Sequence, residues 1–119
     1  MRLVDYTLAK RATLASLRGG RLSRRDVCDA HPDLVRAARN VGEATRGPCP
    51  VCAKDTLVQL RYAFGDALAN QSGRVWSSAA VADLRRSVDE FACYVVEVCP
   101  ECAWNFMVQR YLLGRRHAG

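Results

Sequence analysis

Hydrophobic residues recur at helical spacing along the first part of the chain. From Val4 to Leu17 they step three or four residues apart, which is the period of an amphipathic helix. A glycine pair, Gly19 and Gly20, then interrupts the pattern. Glycine is common directly after a helix C-terminus, so the sequence predicts that the first helix ends there.

Two shorter helices are predicted after the glycine pair. Ser23, followed three residues later by an acidic residue, is typical of a helix N-cap and predicts a brief helix through about Ala30. The segment "PDLVRAARNV" predicts another helix, which begins at Pro32 and is ended by Gly42. Residues 1–46 are therefore predicted to form a helical N-terminal region.

The pattern changes from helical to alternating after Lys54. In "VQLRYAF" the hydrophobic residues face one way while Gln59 and Arg61 face the other, as in a half-buried strand. "CYVVEV" predicts a second strand, and a serine-capped stretch with Val81 and Leu84 predicts a helix inserted between the two. "AWNFMVQRYLL" fits helical spacing as well, but its aromatic and β-branched content favours a third strand.

The motif C-P-x-C occurs twice, at Cys49 and Cys52 and again at Cys99 and Cys102. Two residues between cysteines let a tight turn aim both sulfurs at one point, and two such turns close a tetrahedral four-thiolate site. We call these turns the first knuckle (residues 49–52) and the second knuckle (residues 99–102). The pattern predicts one Zn²⁺ per chain, bound by these four cysteines.

Other uses of the cysteines fit the sequence less well. A dithiol redox site uses a single pair, and a disulfide framework is not expected in a chain that has no secretion signal. Rubredoxin-like iron sites usually have glycine after the second cysteine, where this chain has Ala53 and Ala103, so zinc is favoured over iron. Cys28 and His31 lack further partners for a second metal site. We interpret Cys28 and Cys93 as packing or capping residues.

These elements together predict an α+β protein. N-terminal helices precede a three-stranded antiparallel zinc ribbon that has a helix inserted in its first hairpin. The helical N-terminal region spans residues 1–46 and the zinc-ribbon region spans residues 47–119, and the two are expected to form one compact unit.

Charge is distributed unevenly along the chain, whose formal net charge is +6. Residues 1–46 carry +5, residues 47–102 carry −2 and residues 103–119 carry +3. An anionic partner is therefore expected to contact the two ends, because arginine forks suit phosphate and carboxylate groups. A solvated basic surface would have the same composition. The candidate anion-binding residues are Arg18, Arg21, Arg24, Arg25, Arg36 and Arg39.

Three segments in this order resemble a known family: "VDYTLAKRATLASLRGGRLSRRDVCDAHPDLVRAARNVG", "PCPVC" and "VEVCPECAWNFMVQRYLLG". The family comprises small actinobacterial proteins classed as a domain of unknown function. The resemblance covers nearly the whole chain and implies an actinobacterial source and a metal role for the four knuckle cysteines. It implies no activity.

The functional hypothesis is a non-enzymatic zinc-binding adaptor or regulator associated with the nucleic-acid machinery of transcription or translation. The ribbon would contact a protein or nucleoprotein partner, and the arginine-rich ends would contact RNA, DNA or another anionic partner. The alternative is a helix-turn-helix DNA-binding regulator with a structural zinc, in which Arg36 and Arg39 would reach a major groove.

Several classes of function are not expected. The sequence contains no Ser-His-Asp set, glycine-rich phosphate loop or catalytic zinc motif, so we do not expect an enzyme. It also contains no apolar run long enough for a membrane span and no signal peptide. We therefore expect a cytoplasmic protein with no membrane partner.

Overall fold

One antiparallel sheet runs through the computed structural model, which describes residues 2–117. Its helices and strands, in chain order, are β1 (Arg2–Asp5), α1 (Thr7–Arg18), α2 (Arg24–Val27), α3 (Pro32–Val41), β2 (Glu43–Ala44), β3 (Val58–Phe64), β4 (Arg74–Trp76), α4 (Ser78–Ser87), β5 (Phe91–Val98) and β6 (Asn105–Leu113). The α+β class is confirmed. Within the described residues the sheet has six strands, however, and not the three that were predicted.

The three predicted strands form the centre of this sheet. The strand order is β1-β6-β5-β3-β2, and β4 pairs with β3 on the same edge as β2. Strand β3 pairs with β5 from Val58 opposite Val98 to Phe64 opposite Ala92. Strand β6 returns antiparallel to β5, so the segment that fitted both helical and strand spacing is a strand.

The N-terminal region is not entirely helical, and this part of the prediction is wrong. Residues Arg2–Asp5 form β1, an edge strand in which Arg2 lies opposite Leu112 of β6. The first helix begins at Thr7, whose N–H donates to Asp5 Oδ1 at 2.7 Å, and not at Val4. Periodicity cannot identify so short a strand, and its pairing partner lies at the other end of the chain.

The sequence signals for the next two helix starts are confirmed. Ser23 and Asp26 form a capping box, in which Asp26 Oδ2 accepts from the Ser23 N–H at 2.8 Å. Pro32 opens α3, where His31 Nδ1 accepts from the Asp33 N–H at 3.0 Å. Helix α2 is a single turn and is shorter than predicted. Polar side chains thus satisfy backbone donors that a helix start leaves without partners.

Helices α3 and α4 cover opposite faces of the sheet. Successive residues of a strand point to opposite faces, so Cys93 and Val95 of β5 face α4 whereas Val98 faces α3. Helix α3 packs Ala38 onto Leu60 and Val98, at the end of the sheet nearest the knuckles. Helix α4 covers the other end of the opposite face. The hydrophobic core is therefore divided into separate clusters by the sheet.

A buried carboxylate attaches α1 to the sheet. Glu97 of β5 is only 4% exposed, and its two oxygens accept from Lys10 Nζ and from Trp104 Nε1, both at 2.7 Å. The two donors compensate a charge that would be costly to bury alone. Trp104 is itself fully buried and lies two residues after the second knuckle. This network therefore joins α1, β5 and the knuckle end of the molecule.

Gly42 ends α3 at a point where the backbone passes close to β3. A Cβ atom at this position would lie 2.4 Å from Ala38 O and 2.4 Å from Val58 Cγ2. We expect Gly42→Ala to lower the free energy of unfolding by about 1–3 kcal/mol, because α3 would have to move off the sheet. Urea unfolding of the metal-loaded protein measures this change.

Gly47→Ala is the matched control, because no atom lies within 4 Å of a Cβ built there. Its effect should stay within about 0.5 kcal/mol of zero, as for other surface substitutions. Equal stability of the two variants would show that the close approach at Gly42 is not a packing constraint.

Candidate metal centre

Four sulfur atoms converge between the two knuckles. The Sγ atoms of Cys49, Cys52, Cys99 and Cys102 all lie within 4.8 Å of one another, so the four predicted ligands are brought together. The Cys49–Cys102 and Cys52–Cys99 sulfur pairs are 3.6 and 3.7 Å apart. A tetrahedral ion with metal–sulfur bonds of about 2.3 Å holds its sulfurs about 3.8 Å apart, whereas a disulfide needs about 2.0 Å. The cluster has the dimensions of a four-thiolate metal site.

The two knuckles share one pattern of backbone hydrogen bonds. The N–H of the first cysteine donates to the carbonyl five residues later, and the N–H four residues later donates back to that cysteine's carbonyl. In the first knuckle the bonds are Cys49 N to Lys54 O and Ala53 N to Cys49 O, both 2.9 Å. In the second they are Cys99 N to Trp104 O, 2.9 Å, and Ala103 N to Cys99 O, 2.8 Å. The repeated motif therefore encodes a repeated turn.

The residue after each knuckle has a left-handed backbone conformation. The φ angles are 65° at Ala53 and 68° at Ala103. Glycine adopts this region freely, whereas an L-residue with a Cβ pays roughly 1–2 kcal/mol. The alanines thus take the conformation that glycine has in iron sites of this kind, so their identity does not distinguish zinc from iron. The thiolate set itself accepts either metal.

The left-handed conformation at Ala103 predicts how substitutions there change stability and metal affinity. Ala103→Val should lower the free energy of unfolding by about 1–2 kcal/mol or more and weaken metal binding, because a β-branched residue is least tolerant of positive φ. Ala103→Gly should bind the metal at least as well as the parent. Competition with a chromophoric chelator measures both affinities. Equal affinities for the valine and glycine variants would contradict the assignment of a strained turn.

The first cysteine of each knuckle is buried, with Cys49 1% and Cys99 0% exposed. Burial raises the pKa of the Cys49 thiol. Burial also acts to raise the pKa of Cys99, but hydrogen bonds from the Thr56 hydroxyl and from the backbone N–H groups of Cys102 and Glu101 lower it to about 7. The Thr56 Oγ1–Cys99 Sγ distance is 3.1 Å. These hydrogen bonds therefore stabilise the thiolate form of Cys99.

A cleft lies over the outer side of the cluster, where Cys52 and Cys102 are half-buried. Its other lining residues are Arg24, Arg25, Cys28, Lys54 and Glu101. A hydrogen bond to Cys28, supported by the charges of Cys28 and Cys102, raises the pKa of the Arg24 guanidinium. Four thiolates around one divalent ion carry a formal charge of about −2, which basic residues in this position offset.

The remaining cysteines are placed as the sequence analysis expected. Cys93 is 1% exposed and packs in the core under α4. Cys28 caps the end of α2 and packs into the cluster around the knuckles, but its sulfur is not one of the four that converge. Sequence reasoning did not find the proximity of Cys28, Arg24 or Thr56 to the site, because none has a fixed spacing from the knuckle motif.

The helical region contacts the second knuckle directly. The Ala30 N–H donates to Ala103 O at 3.0 Å, and Asn105 Nδ2 donates to Asp29 Oδ1 at 2.9 Å. Arg39 Nη2 donates to the Pro100 carbonyl at 3.1 Å. The first two contacts join the segment between α2 and α3 to the residues just after the second knuckle, and the third joins α3 to the knuckle itself. A metal bound there would therefore stabilise the helices as well as the sheet.

The six candidate anion-binding arginines differ in their surroundings. Arg36 forms an ion pair with Asp33 at 2.9 Å, and Arg39 is engaged by the second knuckle. Arg24 and Arg25 lie at the metal cleft. Arg18 and Arg21 are exposed at the turn after α1, and neither has an ion pair within residues 2–117. These last two are the most available for an external anion.

Comparison with known proteins places the chain in a family. The sequence profile of a family of unknown function, DUF5318, matches residues 1–119. The chain belongs to DUF5318. This confirms the resemblance to a family of unknown function.

The DUF5318 chain is similar to two uncharacterized mycobacterial proteins, Rv0049 of Mycobacterium tuberculosis and Mb0050 of Mycobacterium bovis. Each is 41% identical over 111 residues, which cover 93% of this chain and 81% of the relative. No solved structure matches the DUF5318 chain. None of the helices within residues 2–117 combines the length and apolar character that a membrane span requires.

We expect the purified protein to carry one metal ion per chain, measured by native mass spectrometry. Cys49→Ser or Cys102→Ser should abolish the metal and destabilise the fold, because three thiolates bind zinc far more weakly than four. Cys93→Ser is the control, because Cys93 lies in the core under α4 and outside the cluster. Metal loss from the Cys93 variant, or two equivalents in the parent, would overturn the assignment.

Proposed function

We propose that this protein is a non-enzymatic zinc-binding adaptor or regulator that acts with the nucleic-acid machinery of transcription or translation in the cytoplasm. The knuckles and strands β3, β5 and β6 would act as a zinc ribbon that contacts a protein or nucleoprotein. Exposed arginines of the helical region would contact an anionic partner. The observation that carries the proposal is the convergence of four knuckle sulfurs on a site bonded to the helical region.

A structural role for the metal follows from the ligand set. Four thiolates fill a tetrahedral ion, whereas a catalytic zinc keeps one position for water or substrate. The buried first cysteines and the paired hydrogen bonds of the knuckles favour a rigid closed centre. Rigid metal-stabilised turns of this kind suit a docking surface, because little conformational entropy is lost when a partner binds.

The distribution of charge supports assigning the two kinds of contact to different parts of the molecule. Residues 47–102 carry a net charge of −2 before any metal is bound, and four thiolates around a divalent ion would add about −2 more at the knuckles, which disfavours phosphate contact at that end of the ribbon. Arg18 and Arg21 lie outside that segment and are exposed and without an ion pair within residues 2–117. We therefore assign contact with an anionic partner to the turn after α1 and contact with protein to the knuckle end of the ribbon.

The helix-turn-helix alternative has less support. Helix α2 is a single turn of four residues, and α3 packs Ala38 against the sheet. Arg39, which would have to reach a base, donates instead to the Pro100 carbonyl, and Arg36 pairs with Asp33. A recognition helix needs a free outer face with unpaired donors, so we do not propose this mode of binding.

Reversing the charge of the exposed turn tests the anion-binding half of the proposal. Arg18→Glu/Arg21→Glu should weaken binding of a fluorescent oligonucleotide at low salt. If each arginine contacts one phosphate, the salt slope should flatten by about 0.7–0.9 per lost contact. Arg74→Glu/Arg85→Glu is a matched control with the same charge change at other exposed positions. Equal losses in both double variants would show that only the net charge matters, and no loss would show a merely solvated basic turn.

Affinity capture from a native lysate tests the part of the proposal in which the ribbon contacts a protein. Recovery of polymerase or ribosomal subunits by the zinc-loaded protein should survive nuclease treatment and should be lost in Cys102→Ser. Recovery that disappears with nuclease would contradict a protein-contacting ribbon.

A further inference from the structure

One part of the sheet surface is not covered by any helix within residues 2–117. It lies on the face that α3 occupies, but at the end of the sheet farthest from the knuckles, where β5 begins. We call it the open face and define it by Arg2, Val4, Phe64, Ala92, Tyr94, Arg110 and Leu112. Most of these residues line a shallow cleft of about 310 Å³.

Strand register arranges the open face in two rows. Val4 lies opposite Arg110, Arg110 opposite Tyr94, and Tyr94 opposite Tyr62. In the next row Arg2 lies opposite Leu112, Leu112 opposite Ala92, and Ala92 opposite Phe64. Residues directly opposite one another share a face. Arg110 and Tyr94 are therefore neighbours in the first row, whereas Leu112 and Ala92 separate Arg2 from Phe64 in the second.

The two aromatic rings of this face differ in exposure. Phe64, the last residue of β3, is 44% exposed, and Tyr94 is half-buried. The Phe64 ring contacts Tyr94 edge-on, with ring centroids 5.3 Å apart and planes at 90°. The pair therefore presents a fixed aromatic surface whose orientation is set by packing.

The open face is also positively charged. Its two rows contain Arg2 and Arg110 and no acidic residue. Within residues 2–117 neither arginine forms an ion pair. A neighbouring cleft that shares Phe64, Ala92 and Leu112 with this face is also lined by three acidic residues. Asp89 pairs with Arg115 at 2.6 Å and Glu90 with Arg116 at 3.8 Å, whereas Asp66 has no ion pair within residues 2–117. The ligand of this face should therefore be anionic and should have flat apolar groups.

We propose that the open face binds single-stranded nucleic acid, with bases stacked on Phe64 and Tyr94 and phosphates held by Arg2 and Arg110. Exposed aromatic rings flanked by cations on a sheet are the combination that single-strand binding requires. The inference rests on the proposed function and deepens it, because it names the nucleic-acid class and a surface distinct from the turn after α1.

Two other occupants fit the face less well. A second copy of this chain bound through a two-fold axis would place this face against itself, so its arginines would meet only arginines and no acidic partner. A duplex keeps the flat surfaces of its bases stacked inside the helix, where Phe64 and Tyr94 cannot reach them. Single strands expose both the bases and the phosphates.

Fluorescence anisotropy with a labelled ten-nucleotide oligouridylate and its DNA equivalent tests the proposal on the zinc-loaded protein at low salt. Phe64→Ala and Tyr94→Ala should each weaken binding by about 5- to 150-fold, the range for loss of one stacked base. Tyr94→Phe keeps the ring and should bind like the parent. Leu8→Ala removes an exposed apolar side chain elsewhere and should have no effect.

Variants that remove one positive charge from an exposed position test the phosphate contacts separately from the aromatic rings. Arg2→Gln and Arg110→Gln, both at exposed positions, should each flatten the salt slope by about 0.7. Arg85→Gln on α4 is the matched control and should leave the slope unchanged. Unaltered zinc content and circular dichroism in every variant would show that the losses come from the surface and not from unfolding.

The outcomes separate this inference from the proposed function. If the Phe64 and Tyr94 variants bind like the parent while Arg18→Glu/Arg21→Glu loses affinity, the open face is not the site but the proposed function stands. Binding of duplex alone, or a dimer that Arg110→Gln or Phe64→Ala alters in sedimentation, would likewise overturn the inference. A parent that binds neither form would overturn it together with the anion-binding half of the proposed function.

Discussion

Tetrahedral coordination requires four sulfur atoms to sit about 3.8 Å apart, and one end of this molecule is arranged around that requirement. Each knuckle folds its first cysteine into the core and holds its backbone with two internal hydrogen bonds. The second knuckle is also bonded to Ala30, Arg39 and, through Asn105, to Asp29. Because the helical region reaches the sheet partly through these contacts, a metal bound by the four cysteines would stabilise far more of the chain than its ligands.

A zinc ion bound at this site would contribute as much free energy as the rest of the fold together. Structural zinc contributes about 10–16 kcal/mol of apparent binding free energy in peptide models, while a domain has a net stability of only about 5–15 kcal/mol. The sheet divides the apolar core into three clusters, none of which is large. A cross-link between residues 49–52 and 99–102 therefore compensates for a core that a chain of this size cannot make continuous. The buried Lys10–Glu97–Trp104 network adds a second attachment beside it.

Local signals account for what the sequence predicted. The knuckle spacing, the capping box at Ser23 and the proline that opens α3 each act within a few residues, and all three are found as expected. Strand β1 was missed because its pairing depends on β6 at the other end of the chain. The contact of Arg39 was missed for a related reason: charge alone suggested an external anion and could not show that its guanidinium donates to the Pro100 carbonyl.

Hydrogen–deuterium exchange of the zinc-loaded and the chelated protein tests the central role of the metal most directly. Chelation should remove protection first from the amides of Ala53 and Ala103, which close the knuckles, and from Ala30, which donates to Ala103 O. Amides of β5 beneath α4, at Cys93 and Val95, should lose protection later, because their packing does not involve the cluster. Unchanged protection at Ala53 and Ala103 after complete metal removal would show that the knuckle turns are stable without the metal, contrary to the role assigned to it.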